Sequence, residues 1–335
     1  MRDAPRSGTH RGDDGAEGNH LPSTRRRFDR LPCLNNAPRG SGGAPQYARD
    51  EFPRDGRAVT VTMEATVNMP DALQTREDAL RALLQSYGSI AVAYSGGVDS
   101  TYLAATAHAV LGSEAVMVIA DSPSIPRSEM AAAIEVAHTR GWNLAIIETA
   151  EFDREEYLRN DENRCYICKS ELFDRMERYA AEKGIAVIAY GAILDDLADM
   201  TRVGHRAAKE HRVTAPLQEA GLSKDDIRVL SKKMGLPTWN KASFACLASR
   251  VPKGAPLSAQ TLSKVEQAEE KLKALGFRQY RARHHGDVCR IEIDPADFVM
   301  LLDVERREGL VRDLRAIGYK HVTLDLAGYR TGSTA

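Results

Sequence analysis

The sequence predicts an α/β protein: a parallel sheet with helices on both faces, followed by a small C-terminal α+β domain. Three observations predict it. Four short apolar runs, SIAVAYS, AVMVIAD, LAIIET and IAVIAYG, alternate with helical patterns from residue 71 onward. The runs are almost unbroken by polar residues, as strands buried on both faces require. After WNKASFACLASRVPKG the rhythm changes to a helix, alternating strand signals, a second helix and a final strand, which is α+β order.

The elements follow in turn. DALRALLQSYG has helical apolar spacing and leads into the first strand. STYLAATAHAVLG is a helix ended by Gly112. SEMAAAIEVAHTRG is a helix with a serine cap and a terminal glycine. KSELFDRMERYAAEKG is a helix before the fourth strand. Later, LSAQTLSKVEQAEEKLKALGF is an amphipathic helix, and RQYRARHHGDVCRIEID carries alternating strand signals. A helix around FVMLLDVERREGLVRDLRAIG precedes the strand YKHVTLDL. The sheet domain is placed at 70–255 and the α+β domain at 256–331. Ligands in such sheets bind at the carboxyl ends of the strands.

Composition narrows the partners. A formal net charge of −1 makes no electrostatic case for nucleic acid or a membrane surface. No apolar run approaches the roughly 20 residues that span a bilayer. Five cysteines, an odd number, do not suggest a secreted disulfide scaffold and point to reducing cytoplasm. Residues 1–62 are rich in Gly, Pro, Arg and Asp without a sustained apolar period. Such a segment cannot bury enough surface to offset its ordering entropy. It is expected to be disordered or untranslated, with Met63 a sensible start. The triplet at 25–27 reads as a solvated charge run.

The first strand delivers the hexapeptide SGGVDS, residues 95–100, to the start of a helix. Gly96 and Gly97 expose backbone N–H groups there, which form a nest for anionic oxygen. Ser95 and Ser100 add hydroxyl donors. Asp99 suits a magnesium ion bridging phosphates. There is no lysine of the G-x-x-x-x-G-K-[ST] type, and the pattern is not G-x-G-x-x-G. The hexapeptide after a first apolar strand resembles the PP-loop of the N-type ATP pyrophosphatases, an adenine nucleotide alpha hydrolase-like fold. The resemblance implies cleavage of ATP between the α and β phosphates. A substrate oxygen attacks the α phosphorus, pyrophosphate leaves, and an adenylate forms.

The cysteines bear on what attacks the adenylate. Cys165 and Cys168 form a C-x-x-C in ENRCYICKSELF, just before a predicted helix, and Cys246 lies in FACLASR. Cys289 reads as a core residue in VCRIEI, and Cys33 lies in the N-terminal segment. A C-x-x-C admits a redox dithiol, half a zinc site or part of an iron–sulfur site. The thioredoxin-like setting of a redox pair is missing. Only Cys246 is an obvious third ligand, and three cysteines would leave one iron of a [4Fe–4S] cube without a protein ligand.

Together, SGGVDS, RCYICK, APLQEAGLSK, WNKASFACLASRVPKG and LDLAGYRTG resemble the LarE family, from about Asp71 to Gly332. These are ATP-dependent sulfur transferases that build the nickel-pincer nucleotide. The resemblance implies that a pyridinium-3,5-biscarboxylic acid mononucleotide is adenylated on one carboxylate. Sulfur then displaces AMP, and the cycle repeats on the second carboxylate. It also implies ATP and Mg2+, a sulfide source, a downstream nickel-inserting enzyme and a homo-oligomer. Some members sacrifice one cysteine; others hold a [4Fe–4S] cluster on three. This chain resembles the second type, with Cys165, Cys168 and Cys246 as ligands. The sacrificial position falls on Ala245. Other positions carry over as expectations: Ser122 and Ser124 beside adenine and ribose; Ser249 and Arg250 facing the adenylate; Arg281, Arg283 and Arg330 on the substrate phosphate, where guanidinium forks suit the task. Glu269 matches a family acid. The chain departs from the family in DDLADMTRVGHRAA, where Asp195, Asp196 and Asp199 persist but the role of Arg202 is in doubt.

Three rivals compete with this reading. A tRNA thiolase would keep the loop and the cluster but need a basic surface. An amide-forming synthetase would leave three cysteines without a task. A non-catalytic carrier would have no need of a pyrophosphate nest with Asp99; its related structural form, a zinc clamp on Cys165, Cys168 and Cys246, is separated from iron by metal analysis.

Overall fold

The computed structural model describes residues 69–198, 203–242 and 245–330. The N-terminal segment with Cys33 and Met63, and also Asp199 and Arg202, lie outside the described residues. All described residues belong to one compact unit, Met63–Ala335.

The chain runs α1 (Met69–Tyr87), β1 (Ile90–Ala93), α2 (Val98–Leu111), β2 (Ala115–Asp121), α3 (Arg127–Thr139) and β3 (Asn143–Glu148). It continues α4 (Glu155–Leu158), α5 (Arg164–Lys183), β4 (Val187–Tyr190), α6 (Val203–Glu210), α7 (Pro216–Glu219) and α8 (Lys224–Lys233). The last part is α9 (Ala259–Ala274), β5 (Tyr280–His285), β6 (Val288–Ile293), α10 (Val304–Ile317) and β7 (His321–Leu324).

The first sheet is wholly parallel, in the order β3-β2-β1-β4. Alternate side chains of β1 feed two cores, as the period of a strand demands. Ile90 and Val92 join Leu80 and Leu84 of α1, Leu103 of α2 and Ile227 of α8 on one face. Ala91 joins Phe173 and Met176 of α5 and Ala207 of α6 on the other. Helices therefore cover both faces, as the unbroken apolar runs predict. Helix α2 is buried on nearly every side, because it lies under α1 and α8 as well as on the sheet. The chain leaves β1 toward β2 and β3, then returns to the opposite side as β4. The strand order thus reverses direction between β1 and β4, the switch point where open α/β sheets bind ligands.

The second sheet is mixed, with β5 and β6 antiparallel and β6 and β7 parallel. Its core is closed by Leu272 of α9 and Leu314 of α10 over Ala282 and Ile291. Among the described residues, no helix is long and apolar enough to cross a membrane.

Three local expectations need correction. Helix α3 begins at Arg127, so Ser128 lies inside it and not at its cap. Pro126 sets the entry, and the first free backbone N–H, of Arg127, donates to the Glu266 carboxylate of α9. A tertiary partner has replaced the local cap. The C-x-x-C does not precede its helix but forms the first turns of α5. The segment from Phe298 to Gly318 is not one helix: a short 3-10 turn, Pro295–Leu301, gives way to α10, whose Asp303 side chain caps the Arg306 N–H at 3.0 Å.

Candidate active site

The SGGVDS turn is built by the sheet around it. Tyr94 is locked by its N–H to Val118 O (2.8 Å) and its hydroxyl to Ala133 O (3.0 Å). The chain then turns at Gly96, whose φ is +70°, a region that favours glycine. A Cβ there would stand 2.6 Å from the Ala133 Cβ, so the turn also needs the missing side chain for space. Ser95 and Ser100 close the loop on themselves. Their hydroxyls share a 2.9 Å hydrogen bond, and the Ser95 N–H donates to Ser100 Oγ at 3.2 Å. Gly97 stands at the N-cap of α2 with extended backbone and no side-chain cap. The first N–H groups of a buried helix are therefore aimed at the loop, an anion site by geometry and dipole.

These residues open onto a cavity of about 470 Å³ at the carboxyl ends of β1, β2 and β4, large enough for a nucleotide-sized ligand. Ser95, Gly97, Asp99 and Ser100 line it, and so do Ala245 and Cys246. Gly191, just past β4, permits this closeness: a Cβ on it would lie 3.0 Å from Ser100 N and 3.1 Å from Ser100 Cα.

Two cations reach the loop that motif reasoning left without a role. Lys224, first residue of α8, holds both Asp99 oxygens at 2.7 and 2.6 Å. Lys241 donates to Gly96 O at 3.0 Å and pairs with Glu129 at 2.6 Å. Arg228 lines the same cavity one turn after Lys224. Neither lysine carries a signal beyond its place in GLSK and WNK, because a lysine in a loop or first turn reads as solvated until the fold turns it inward.

The structure brings the three cysteines into one neighbourhood. Cys165 is exposed, and Cys168 and Cys246 are partly buried against Tyr157, Ile167 and Leu247. The Cys168 thiol is pushed well up, first by burial and then by Cys246, Glu151 and Cys165. For Arg164, burial opposes the charge, but Cys246 and Cys165 raise the guanidinium above its usual value. Its Nη2 lies 3.8 Å from Cys165 Sγ. Cys289 stands apart, in the core of the second sheet.

Asn160 explains how residues some eighty positions apart meet. It is fully buried with φ +57°. Its amide donates to the carbonyls of Pro252 (2.8 Å) and Ala255 (3.0 Å), and its Oδ1 accepts from Arg164 Nη1 (2.7 Å). The same Arg164 nitrogen donates to Ala248 O at 3.0 Å. Leu247 N–H donates to Ser124 O at 2.8 Å, which ties the Cys246 loop to the exit of β2. Three soft sulfur donors beside a half-buried cation fit a [4Fe–4S] group by donor chemistry.

The other expected residues fall less simply. The Ser122 hydroxyl donates to Glu151, and the Ser124 hydroxyl pairs with Tyr157; both serines are buried. Their side chains brace the wall behind Cys168 and do not line the cavity, whose β2 side is Val118, Ile119 and Ala120. Arg250 is 1% exposed and is also absent from the lining. Its guanidinium meets Glu269 twice (2.8 and 3.0 Å) and donates to the carbonyls of Ala245 (2.7 Å) and Cys246 (3.2 Å). It supports the cysteine loop from behind. Ser249 turns its hydroxyl back to Cys246 O at 2.8 Å. Arg283 forks onto Glu292 (3.0 and 2.9 Å) and donates to Ser249 O (2.8 Å). Arg281 is buried over the Tyr329 ring, 4.9 Å from its centroid, and is lowered by burial and by Arg250. Arg330 is exposed beside Tyr329.

A parallel sheet with a glycine turn and a helix N-terminus at its switch point, facing basic side chains, defines a PP-loop ATP-binding protein. The relatives agree. The chain is 28% identical over 178 residues to a subunit of the glutamine-hydrolyzing GMP synthase of Methanopyrus kandleri, covering 48% of this chain and 55% of that protein. It is 39% identical over 259 residues to an uncharacterised protein of Synechocystis sp., covering 76% of this chain and 96% of the relative. It is 34% identical over 265 residues to pyridinium-3,5-bisthiocarboxylic acid mononucleotide synthase of Lactiplantibacillus plantarum, covering 78% of this chain and 94% of that enzyme. No protein-family model matches. The chain belongs to the pyridinium-3,5-bisthiocarboxylic acid mononucleotide synthase family, LarE.

Proposed function

We propose that this protein is an ATP-dependent sulfur transferase that converts the carboxylates of a pyridinium-3,5-biscarboxylic acid mononucleotide to thiocarboxylates. The single observation that carries the reading is the meeting of Cys246 with the PP-loop in one cavity. A pyrophosphate nest and a sulfur ligand on one wall are what an adenylate-then-sulfur sequence needs. The L. plantarum relative is named as the synthase of the pyridinium-3,5-bisthiocarboxylic acid mononucleotide, the product this reaction would give.

In the first half-reaction, a substrate carboxylate oxygen attacks the α phosphorus of ATP. The bond to the bridging oxygen breaks, and pyrophosphate leaves against the N–H groups of Gly97 and α2. Asp99 would hold Mg2+ there, and Lys241 keeps the loop's Gly96 carbonyl in place. In the second, sulfur attacks the activated carbonyl carbon, and AMP departs with the carboxylate oxygen. A [4Fe–4S] cluster on Cys165, Cys168 and Cys246 would supply an iron free of protein ligands to carry that sulfur. Arg164 offsets the negative charge of the thiolates, and Arg250 fixes the backbone that presents Cys246. Arg281, Arg283 and Arg330 remain the proposed grip on the substrate phosphate.

The test is a matched pair of variants of the full chain purified without oxygen. Asp99→Ala should lose pyrophosphate release from ATP but keep iron and acid-labile sulfide. Cys246→Ala should lose iron and sulfur transfer but still release pyrophosphate. Zinc in place of iron, or full multiple-turnover sulfur transfer by Cys246→Ala, refutes the cluster mechanism.

A further inference from the structure

We propose that Glu151 is a positioning residue of the cysteine site: through Ser122 and Ser124 it fixes the Cys246 loop, and its negative charge beside Cys168 lowers the reduction potential of the bound cluster. This rests on the cluster mechanism proposed above.

Glu151 is an acid in an unusual place. It is 1% exposed. Its Oε1 accepts the Ser122 hydroxyl, while its Oε2 is buried with no hydrogen-bond partner among the described residues. An interior acceptor left bare is costly, and buried charges are as a rule paired or set against a metal. An orphaned oxygen of this kind therefore calls for an explanation in function.

The hydrogen bonds give half of it. A carboxylate accepts and does not donate, so the Ser122 hydroxyl points its proton at Glu151. Ser122 Oγ is then left to accept the Ser124 N–H at 3.0 Å. Ser124 O accepts the Leu247 N–H at 2.8 Å, one residue after Cys246. The Ser124 hydroxyl meets Tyr157, and Cys168 and Cys246 pack against the apolar group that contains the Tyr157 ring. Glu151 thus orients a chain that ends on the loop of one cysteine and the packing of another. Partners of this kind hold metal ligands in place.

The charge gives the other half. Glu151 raises the Cys168 thiol, after burial and Cys246 and ahead of the opposing effect of Arg164. Arg164 lies at the other side of the site, 3.8 Å from Cys165 Sγ. The site is polarised, with its cation by Cys165 and its acid by Cys168. Negative charge beside a cluster resists an added electron and lowers the potential. Transfer of sulfide to an adenylate moves no net electrons, so a cluster held in one oxidation state serves it.

The experiment uses the full chain, reconstituted with iron and sulfide without oxygen, as wild type, Glu151→Gln, Glu151→Ala and Ser122→Ala. Iron and acid-labile sulfide are measured per chain. The reduction potential is read by dye-mediated titration followed by electron paramagnetic resonance. Glu151→Gln keeps the volume and an acceptor for Ser122 but not the charge. Its iron should stay near the wild-type level, and its potential should shift upward. Glu151→Ala and Ser122→Ala break the chain at neighbouring links, and each should lose most of its iron. Thermal melts check folding. If the alanine variants do not fold, Glu151→Gln decides alone, since a purely structural role would leave its potential unmoved. Full iron in either alanine variant, or a wild-type potential in Glu151→Gln, overturns the proposal and leaves the cluster mechanism standing. A wild type that takes up zinc, or no iron, overturns both.

Discussion

Asn160 shows how much of a functional site can depend on one side chain that touches no substrate. Its amide and Oδ1 join the carbonyls of the Cys246 loop to Arg164 at the head of α5. Asn160→Ala leaves two buried carbonyls without their donor, takes one acceptor from the Arg164 guanidinium, which keeps Ala248 O, and places alanine at φ +57°. The expected cost is roughly 3 kcal/mol from unmade buried hydrogen bonds, read from urea melts, together with loss of most bound iron. Retained iron in a destabilised variant would show that the cysteines meet without this staple. The thiols give a second measurement at this scale. Burial pushes Cys289 up to about 12, so at pH 8 only about one part in ten thousand is thiolate, the form that alkylates. In iron-free protein, iodoacetamide should label the exposed Cys165 first and Cys289 last. Labelling of Cys289 should rise about tenfold per pH unit from about pH 8 to 10, since its pKa lies above that window. Peptide mass spectrometry reads both, and early labelling of Cys289 would contradict its placement in the core.

At the scale of elements, the site is a matter of how closely strands and helices approach. Gly191 lies where β4 passes the N-terminus of α2, and an added Cβ would press on the backbone of Ser100 at 3.0 Å. Backbone cannot rotate away as a side chain can. Gly191→Ala should therefore raise the KM for ATP several-fold by shifting the loop, with a stability loss of about 1–3 kcal/mol, typical of overpacking. An unchanged KM would show that the loop tolerates displacement. Nothing local in IAVIAYG marks this glycine. By contrast, the parallel sheet and the SGGVDS turn were legible, because an apolar run ending in glycines and an acid is a local pattern. The start of α3 was not, since its cap is Glu266 from another helix. Nor were the roles of Ser122, Ser124 and Arg250: a motif places a residue near a site, but only packing decides whether it faces the ligand or braces the wall. Lys224 was hidden for the converse reason, as its partner Asp99 lies 125 residues away.

At the scale of the molecule, the Cys246 loop is the joint between the two sheets. Arg250, on the loop, meets Glu269 of α9, whose Oε1 also accepts the Ala282 N–H of β5 at 3.2 Å. Arg283 of β5 reaches back to Ser249 O on the same loop. The second sheet thereby sets the position of a cysteine that the first sheet uses. Glu269→Ala leaves a fully buried guanidinium without its carboxylate and should cost about 3–5 kcal/mol. That result alone would not separate stability from positioning. The double variant Arg250→Met with Glu269→Leu does, because replacing both charges by apolar groups removes the stranded ion and should return most of the stability. It cannot return the hydrogen bonds from Arg250 to the carbonyls of Ala245 and Cys246. The expected outcome is a near-native urea midpoint with depleted iron and little sulfur transfer, while pyrophosphate release persists. Full iron in the double variant would mean that the ion pair only joins the sheets, and that the cysteine loop keeps its place through Asn160, Arg164 and the hydrogen bonds of Leu247 to Ser124 O and Arg283 to Ser249 O.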